Sequence, residues 1–321
     1  MFSAGAQAAV VFLVLYAILW VTLIYGYATR RLKFASVYTI ILLHIFIRLS
    51  AQACGLAFGV IGYGASGLLV AYLILGAEGY FTLVLCTYRI LIGKLIFPVW
   101  HQSNLASGES FLEPKMPKDW NFVKRFRESF SLRHLKKSYM SIMHWFLIGA
   151  NTMIIVGGTM LSNSMNSNGD DLPTQQDLNT SKALRLAGQS IFLAINLLLA
   201  FSIARTFRMS LRELGFVHNT LKLLALAWPF LIVRGVFGIL QATLTEFSYY
   251  NIDNYDAKGL KRSFIVAEYL LATLEEWCSC AILMSTFLAS RHDVEHREER
   301  LASGDKPEEI EVSAANGKTK V

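Results

Sequence analysis

Charge is what this chain has least of. Only 17% of its 321 residues are Asp, Glu, Lys or Arg, against 54% apolar, and the mean hydropathy is +0.42. A soluble domain needs more polar surface than that, so the composition points to a multi-pass membrane protein. Cysteine is equally sparse. The four cysteines, Cys54, Cys86, Cys278 and Cys280, all fall in apolar runs, which excludes a framework of loop disulfides. Cys278 and Cys280 are two apart on a helix and point away from each other, so they read as core-filling residues rather than a metal pair. Histidine in the apolar runs is limited to His44 and His144, and no carboxylate joins them at a ligand-like spacing. An intramembrane metallohydrolase is therefore not expected. The sequence predicts no catalytic residue, no metal and no cofactor.

The apolar runs give seven spans of about 20 residues or more: 8–28, 35–61, 68–93, 140–161, 183–205, 223–245 and 264–289. The first is preceded by no basic side chain and followed by Arg30, Arg31 and Lys33, so it reads as a first span with its N-terminus outside rather than a secretory leader. The formal charge of +7 has the same explanation. Basic residues crowd the first, third and fifth loops. The third, 94–139, has nine Lys or Arg against four acids, and the fifth has Arg205, Arg208, Arg212 and Lys222 against Glu213. Those loops are expected to face the cytoplasm, with the C-terminus beside them. Orientation thus accounts for the charge, and no nucleic acid is expected as a partner.

The connections carry their own patterns. From Asn121 to Ser138, Phe122, Phe126 and Phe130 recur every four residues among Lys124, Arg125 and Arg127. The pattern predicts an amphipathic helix on the anionic inner leaflet. The fourth loop, 162–182, is rich in Asn, Ser and Asp and is expected to be flexible. Its acceptor pattern Asn179-Thr180-Ser181 lies too near the next span to be glycosylated. In the sixth loop, FSYYNIDNYD, the aromatics either cap the bundle or sit at headgroup level. The tail from 291 to 321 reads as a largely disordered cytoplasmic segment beyond a short helix at 291–302. His292 and His296 lie there at metal-compatible spacing with no further ligand.

Charges inside the spans hold most of the functional information. Arg48 and Glu78 fall near mid-span in helices 2 and 3, and Arg234, Glu268, Glu275 and Glu276 in helices 6 and 7. A charge at that depth costs about 2.5–3.5 kcal/mol on insertion scales, so such residues face protein and find partners. Tyr72 to Tyr80 matches Tyr269 to Trp277 in tyrosine, leucine, glutamate and aromatic offsets, and Phe46-Ile47-Arg48 matches Ile232-Val233-Arg234. The chain therefore reads as a parallel 3+1+3 repeat, with Arg48 paired to Glu78 and Arg234 to Glu275. On a regular helix Glu268 and Glu275 share a face and Glu276 points about 100° away. Pro229, five residues before Arg234, is expected to kink helix 6.

Three stretches carry a likeness: Phe46-Ile47-Arg48, Ala77-Glu78-Gly79-Tyr80 closing with Tyr88-Arg89, and Ile232-Val233-Arg234-Gly235-Val236-Phe237-Gly238. On them the chain resembles the uncharacterised seven-transmembrane integral membrane proteins common in fungi, over roughly 10–290. It is more distantly similar to the fungal lipid-translocating exporters, which also pair core arginines with glutamates. The resemblance implies an all-α bundle of seven transmembrane helices and transfers no site residues.

Three functions fit these readings. A transporter or exporter of a small or amphiphilic molecule would use Arg48 and Arg234 to hold a closed state or an anionic group, and Glu275 or Glu276 to exchange a proton. A receptor fits the helix count and orientation. However, Tyr88 rather than an acid precedes Arg89, and helix 7 has no Asn-Pro pair. Alternatively, the Arg/Glu pairs serve only helix register. The expected partners are the bilayer, its anionic inner-leaflet lipids and a small or amphiphilic ligand.

Overall fold

The computed structural model describes residues 3–32, 36–91, 139–166, 174–214, 217–249, 251–256 and 259–302. The candidate surface helix around Phe122, Phe126, Phe130, Lys124, Arg125 and Arg127 lies outside the described residues, as do 303–321 and the side chains of His292 and His296. Seven described helices are long and apolar enough to cross a membrane, consistent with a multi-pass, all-α membrane protein. They are α1 (Ala4–Ala28), α2 (Tyr38–Ile61), α3 (Ser66–Ile90), α4 (Tyr139–Asn166), α5 (Gln175–Leu214), α6 (Asn219–Thr243) and α7. Helix α7 runs as Arg262–Glu268, a π turn over Tyr269–Thr273, and Leu274–Ala302.

Consecutive helices pack side by side, α7 closes back onto α1 and α2, and α3 also touches α5, α6 and α7. The half of the bundle bearing the α2–α3, α4–α5 and α6–α7 connections is termed the upper half. Helix ends there are locally specified. Ser3 caps α1 by accepting from the Ala6 amide (3.2 Å) and donates to the Gly59 carbonyl of α2 (3.0 Å). A methyl group at Gly59 would lie 2.9 Å from the Ala6 side chain, so the small residue sets the α1–α2 spacing. Gly62 opens the short 3-10 turn Gly62–Ala65 at φ 77°, a conformation that favours glycine.

The fourth connection is shorter than its composition predicts. Thr174 and Asp177 form a capping box: the Asp177 amide donates to Thr174 Oγ1 and the Thr174 amide to Asp177 Oδ2, each at 3.2 Å. Residues 175–182 are therefore helical, and Asn179 sits on α5. Helix α5 also continues past 205 to Leu214, and α7 continues unbroken past 289. The sixth connection forms a two-stranded hairpin, β1 (Tyr255–Asp256) against β2 (Gly259–Leu260). Two of its aromatics pack onto the helices, Phe247 edge-on to Phe237 of α6 at 5.7 Å and Tyr249 edge-on to Phe264 of α7 at 4.9 Å between ring centres.

The surface explains why so much apolar sequence is needed. Val11, Ile18, Val21, Phe46, Phe201, Leu226 and Leu288 are all more than half exposed. An apolar face of that extent fits lipid better than water. The buried core is uneven. Its main cluster, including Leu83, Leu147, Leu199, Leu224 and Leu283, fills the lower half and the middle, while the cluster in the upper half is small, built on Ala9, Ile265 and Tyr269, with Phe58, Phe237 and Phe264 buried outside it.

Candidate functional site

The charges meet in the middle of the bundle, at one carboxylate. Arg48 of α2 is 3% exposed, Arg234 of α6 is 6% exposed and Glu276 of α7 is fully buried. Glu276 Oε2 pairs with Arg48 Nη2, and Glu276 Oε1 accepts from Arg234 Nε at 2.6 Å. Two cations thus share a single acid.

This arrangement corrects both expected pairings. Glu78 does not meet Arg48. It lies half-buried on α3 and accepts a hydrogen bond from Asn151 Nδ2 of α4 at 2.6 Å. Glu275 does not meet Arg234 and is half-buried. The π turn is the physical reason. It inserts one extra residue between Glu268 and the rest of α7. Eight residues then span the angle that seven would span on a regular α-helix, so Glu276 takes the phase predicted for Glu275. Glu268 and Glu276 are both buried.

Neighbouring residues are shaped around the cluster. Gly79 of α3 is where the Arg48 side chain crosses. A β-carbon there would overlap the guanidinium, with Arg48 Cζ and Glu276 Oε2 each only 2.8 Å away. Tyr80 offers its ring to Arg234, whose Cζ lies 5.4 Å from the ring centre, a cation–π contact. The Tyr80 hydroxyl donates to the Leu231 carbonyl (3.1 Å) and accepts from Asn196 Nδ2 (2.7 Å). The Asn196 side chain also donates to that carbonyl (3.0 Å), and the Asn196 backbone carbonyl accepts from Trp228 Nε1 (3.1 Å). Gly235 permits this, since a β-carbon there would lie 2.6 Å from the Tyr80 oxygen. A polar node therefore ties α3, α5 and α6 together beside Pro229, which lies inside α6.

Above the triad the second buried acid has a different partner. Tyr72 of α3 donates to Glu268 Oε1 at 2.8 Å, and Tyr269 donates to Gln52 Oε1 at 3.0 Å. Among the described residues no ion pair joins Glu268 to either arginine. Between them lies a cavity of about 120 Å³, lined by Arg48, Arg234, Glu268, Tyr72 and Gln189 among others and reaching Gln241 and Tyr249 at the upper end. Glu78 and Glu275 are not on its wall.

His44 is a packed, hydrogen-bonded residue: its Nδ1 lies 3.0 Å from Thr82 Oγ1 and 3.1 Å from the Gly79 carbonyl. The four cysteines are free. Sequence reasoning found Arg48, Arg234, Glu268 and Glu276 and missed Tyr72, Gly79, Tyr80, Gln189 and Asn196. Tyr72, Gly79 and Tyr80 stood inside the matched stretch, where Gly79 beside two large polar residues was the available signal. Gln189 and Asn196 sit seven apart on α5, one polar stripe in an apolar run. No protein-family model matches the chain, and no curated protein or solved structure is significantly similar to it.

Proposed function

We propose that this protein binds and translocates a small or amphiphilic molecule, which enters the cavity from the upper end and stops at the Arg48–Glu276–Arg234 triad. The observation that carries the reading is the unequal filling of the bundle: a cavity ends on two buried arginines while the opposite half is packed. Buried charges beside open space are a common sign of a substrate path in membrane proteins. The π turn interrupts α7 just before Glu276, and Pro229 lies inside α6 five residues before Arg234, where its ring removes one helical hydrogen bond. Such interruptions recur at functional sites and hinges.

The orientation belongs to the same proposal. Arg205, Arg208 and Arg212 lie toward the lower end of α5, and by the positive-inside rule that end faces the cytoplasm. The upper mouth then opens outward and the N-terminus is outside. Kinship with the fungal seven-helix proteins and the parallel repeat of helices 1–3 and 5–7 are part of this reading. The two halves share their Arg positions and aromatic offsets, although one glutamate, Glu276, serves both arginines.

One observation favours a second reading, a purely structural clamp: both Glu276 oxygens are already occupied by arginines. Flux measurements on proteoliposomes separate the two. Gln241→Trp fills the upper mouth without touching the triad and is expected to abolish movement of a labelled amphiphile while leaving the fold intact. Unchanged flux in that variant removes the transport path. Absence of flux in the wild-type protein for anionic, cationic and neutral probes alike leaves the clamp.

A further inference from the structure

We infer that the cavity binds an anionic group, a carboxylate, sulfate or phosphate, seated against Arg234 and Arg48. The inference rests on the proposed translocation path and deepens it by naming the ligand's charge.

The charges on the cavity wall are unequal. Arg48 and Arg234 line it at the triad, against one carboxylate, Glu268. Glu276 lies behind the two central arginines and balances one of them. The other keeps its charge in a buried site, where an unbalanced cation is costly. Glu268 does not relieve it by contact, since its hydrogen bond comes from Tyr72. An incoming anion would.

Hydrogen-bonding capacity points the same way. Arg234 uses Nε on Glu276, and its buried Nη1 has no partner. Arg48, on the same cavity wall, is also buried and keeps an Nε without a partner. Buried polar groups in native structures are nearly always satisfied, so two orphan donors on one cavity wall mark a place where an accepting ligand completes the network. An arginine with free donors matches a planar or tetrahedral oxyanion better than any other ligand class. The upper wall supplies apolar contact through Val70, Leu73, Ile74, Ile154 and Ile155. A carboxylate with an alkyl chain would therefore find both kinds of surface.

The test is saturable binding of radiolabelled laurate to the full-length protein in phosphatidylcholine nanodiscs. Unlabelled laurate should compete and dodecylamine should not. Arg234→Gln should weaken binding at least tenfold. Gln241→Trp should abolish it, and Glu268→Gln should not weaken it. If Arg234→Gln fails to fold, Arg234→Lys, which keeps the charge beside Glu276 but loses the donor fork, should still weaken binding severalfold. Competition by acetate at millimolar concentration would assign the site to a free small anion. Its failure alongside laurate would assign an amphiphile headgroup, and both results uphold the anion site. No saturable laurate binding, or binding that survives both Arg234→Gln and Arg234→Lys, overturns it. Binding without flux removes transport and keeps the site. Flux of dodecylamine that requires Glu268 keeps transport and removes the anion.

Discussion

The two halves of the bundle use the same kind of sequence for different ends. In the lower half, leucines and aromatics from α1 to α7 fill the interior, and several buried hydroxyls find partners nearby, although those of Ser36 and Ser279 do not. Tyr88 donates to the Ile195 carbonyl at 2.9 Å, and Tyr38 and Thr286 meet at 3.1 Å. In the upper half the apolar cluster is small, a cavity remains, and Gln52, Gln189 and Arg234 each keep a buried polar atom without a partner. A bundle that only had to stand would pack both halves alike. The contrast indicates that stability is concentrated below the triad and binding capacity above it, with Glu276 at the boundary.

The largest test of that division removes the boundary itself. Glu276→Ala leaves two buried guanidinium groups without an acid and is expected to cost about 3–5 kcal/mol, read as lost thermal stability in detergent. Glu275→Ala, one residue away, should cost less than ~1 kcal/mol. Equal losses would sink the assignment of the triad. Next, truncations in the two halves should differ. Leu224→Ala in the packed half should cost about 2 kcal/mol or more, and Leu73→Ala on the cavity wall clearly less, because space already exists beside it.

Gly79→Ala should cost about 1–3 kcal/mol by forcing Arg48 off its path. The same change at Gly67, where an added β-carbon meets nothing within 4 Å, should be close to neutral. The smallest effect is expected at the π turn. Deleting the exposed Leu270 turns that segment into regular α-helix and keeps Glu268 and Glu276 in phase, so the protein should fold with little loss. Inserting an alanine after Thr273 adds a second phase error and should abolish folding. A deletion as damaging as the insertion would contradict the helix-phase explanation.

Those contrasts also show what could be read from the sequence. The spans were legible because each is a run of apolar residues long enough to cross a bilayer, and Arg48, Arg234 and Glu276 stood out as charges inside such runs. The wrong pairings came from assuming a uniform 100° per residue through α7. No residue in Tyr269–Thr273 announces a π turn, which depends on how Tyr269 and Thr273 pack against α1, α2 and α6. The helical start of α5 was legible in principle, since Thr174-Gln175-Gln176-Asp177 is a capping-box sequence, but the surrounding Asn and Ser masked it. The cavity was not legible, because empty space results from seven helices together.

The most direct measurement of the central claim is a set of double-mutant cycles on thermal stability. If Glu276 serves both arginines, the cycles Arg48/Glu276 and Arg234/Glu276 should each show coupling above ~1 kcal/mol, and Arg48/Glu78 and Arg234/Glu275 less than ~0.5 kcal/mol. Strong coupling to Glu78 and Glu275 with none to Glu276 would contradict the account.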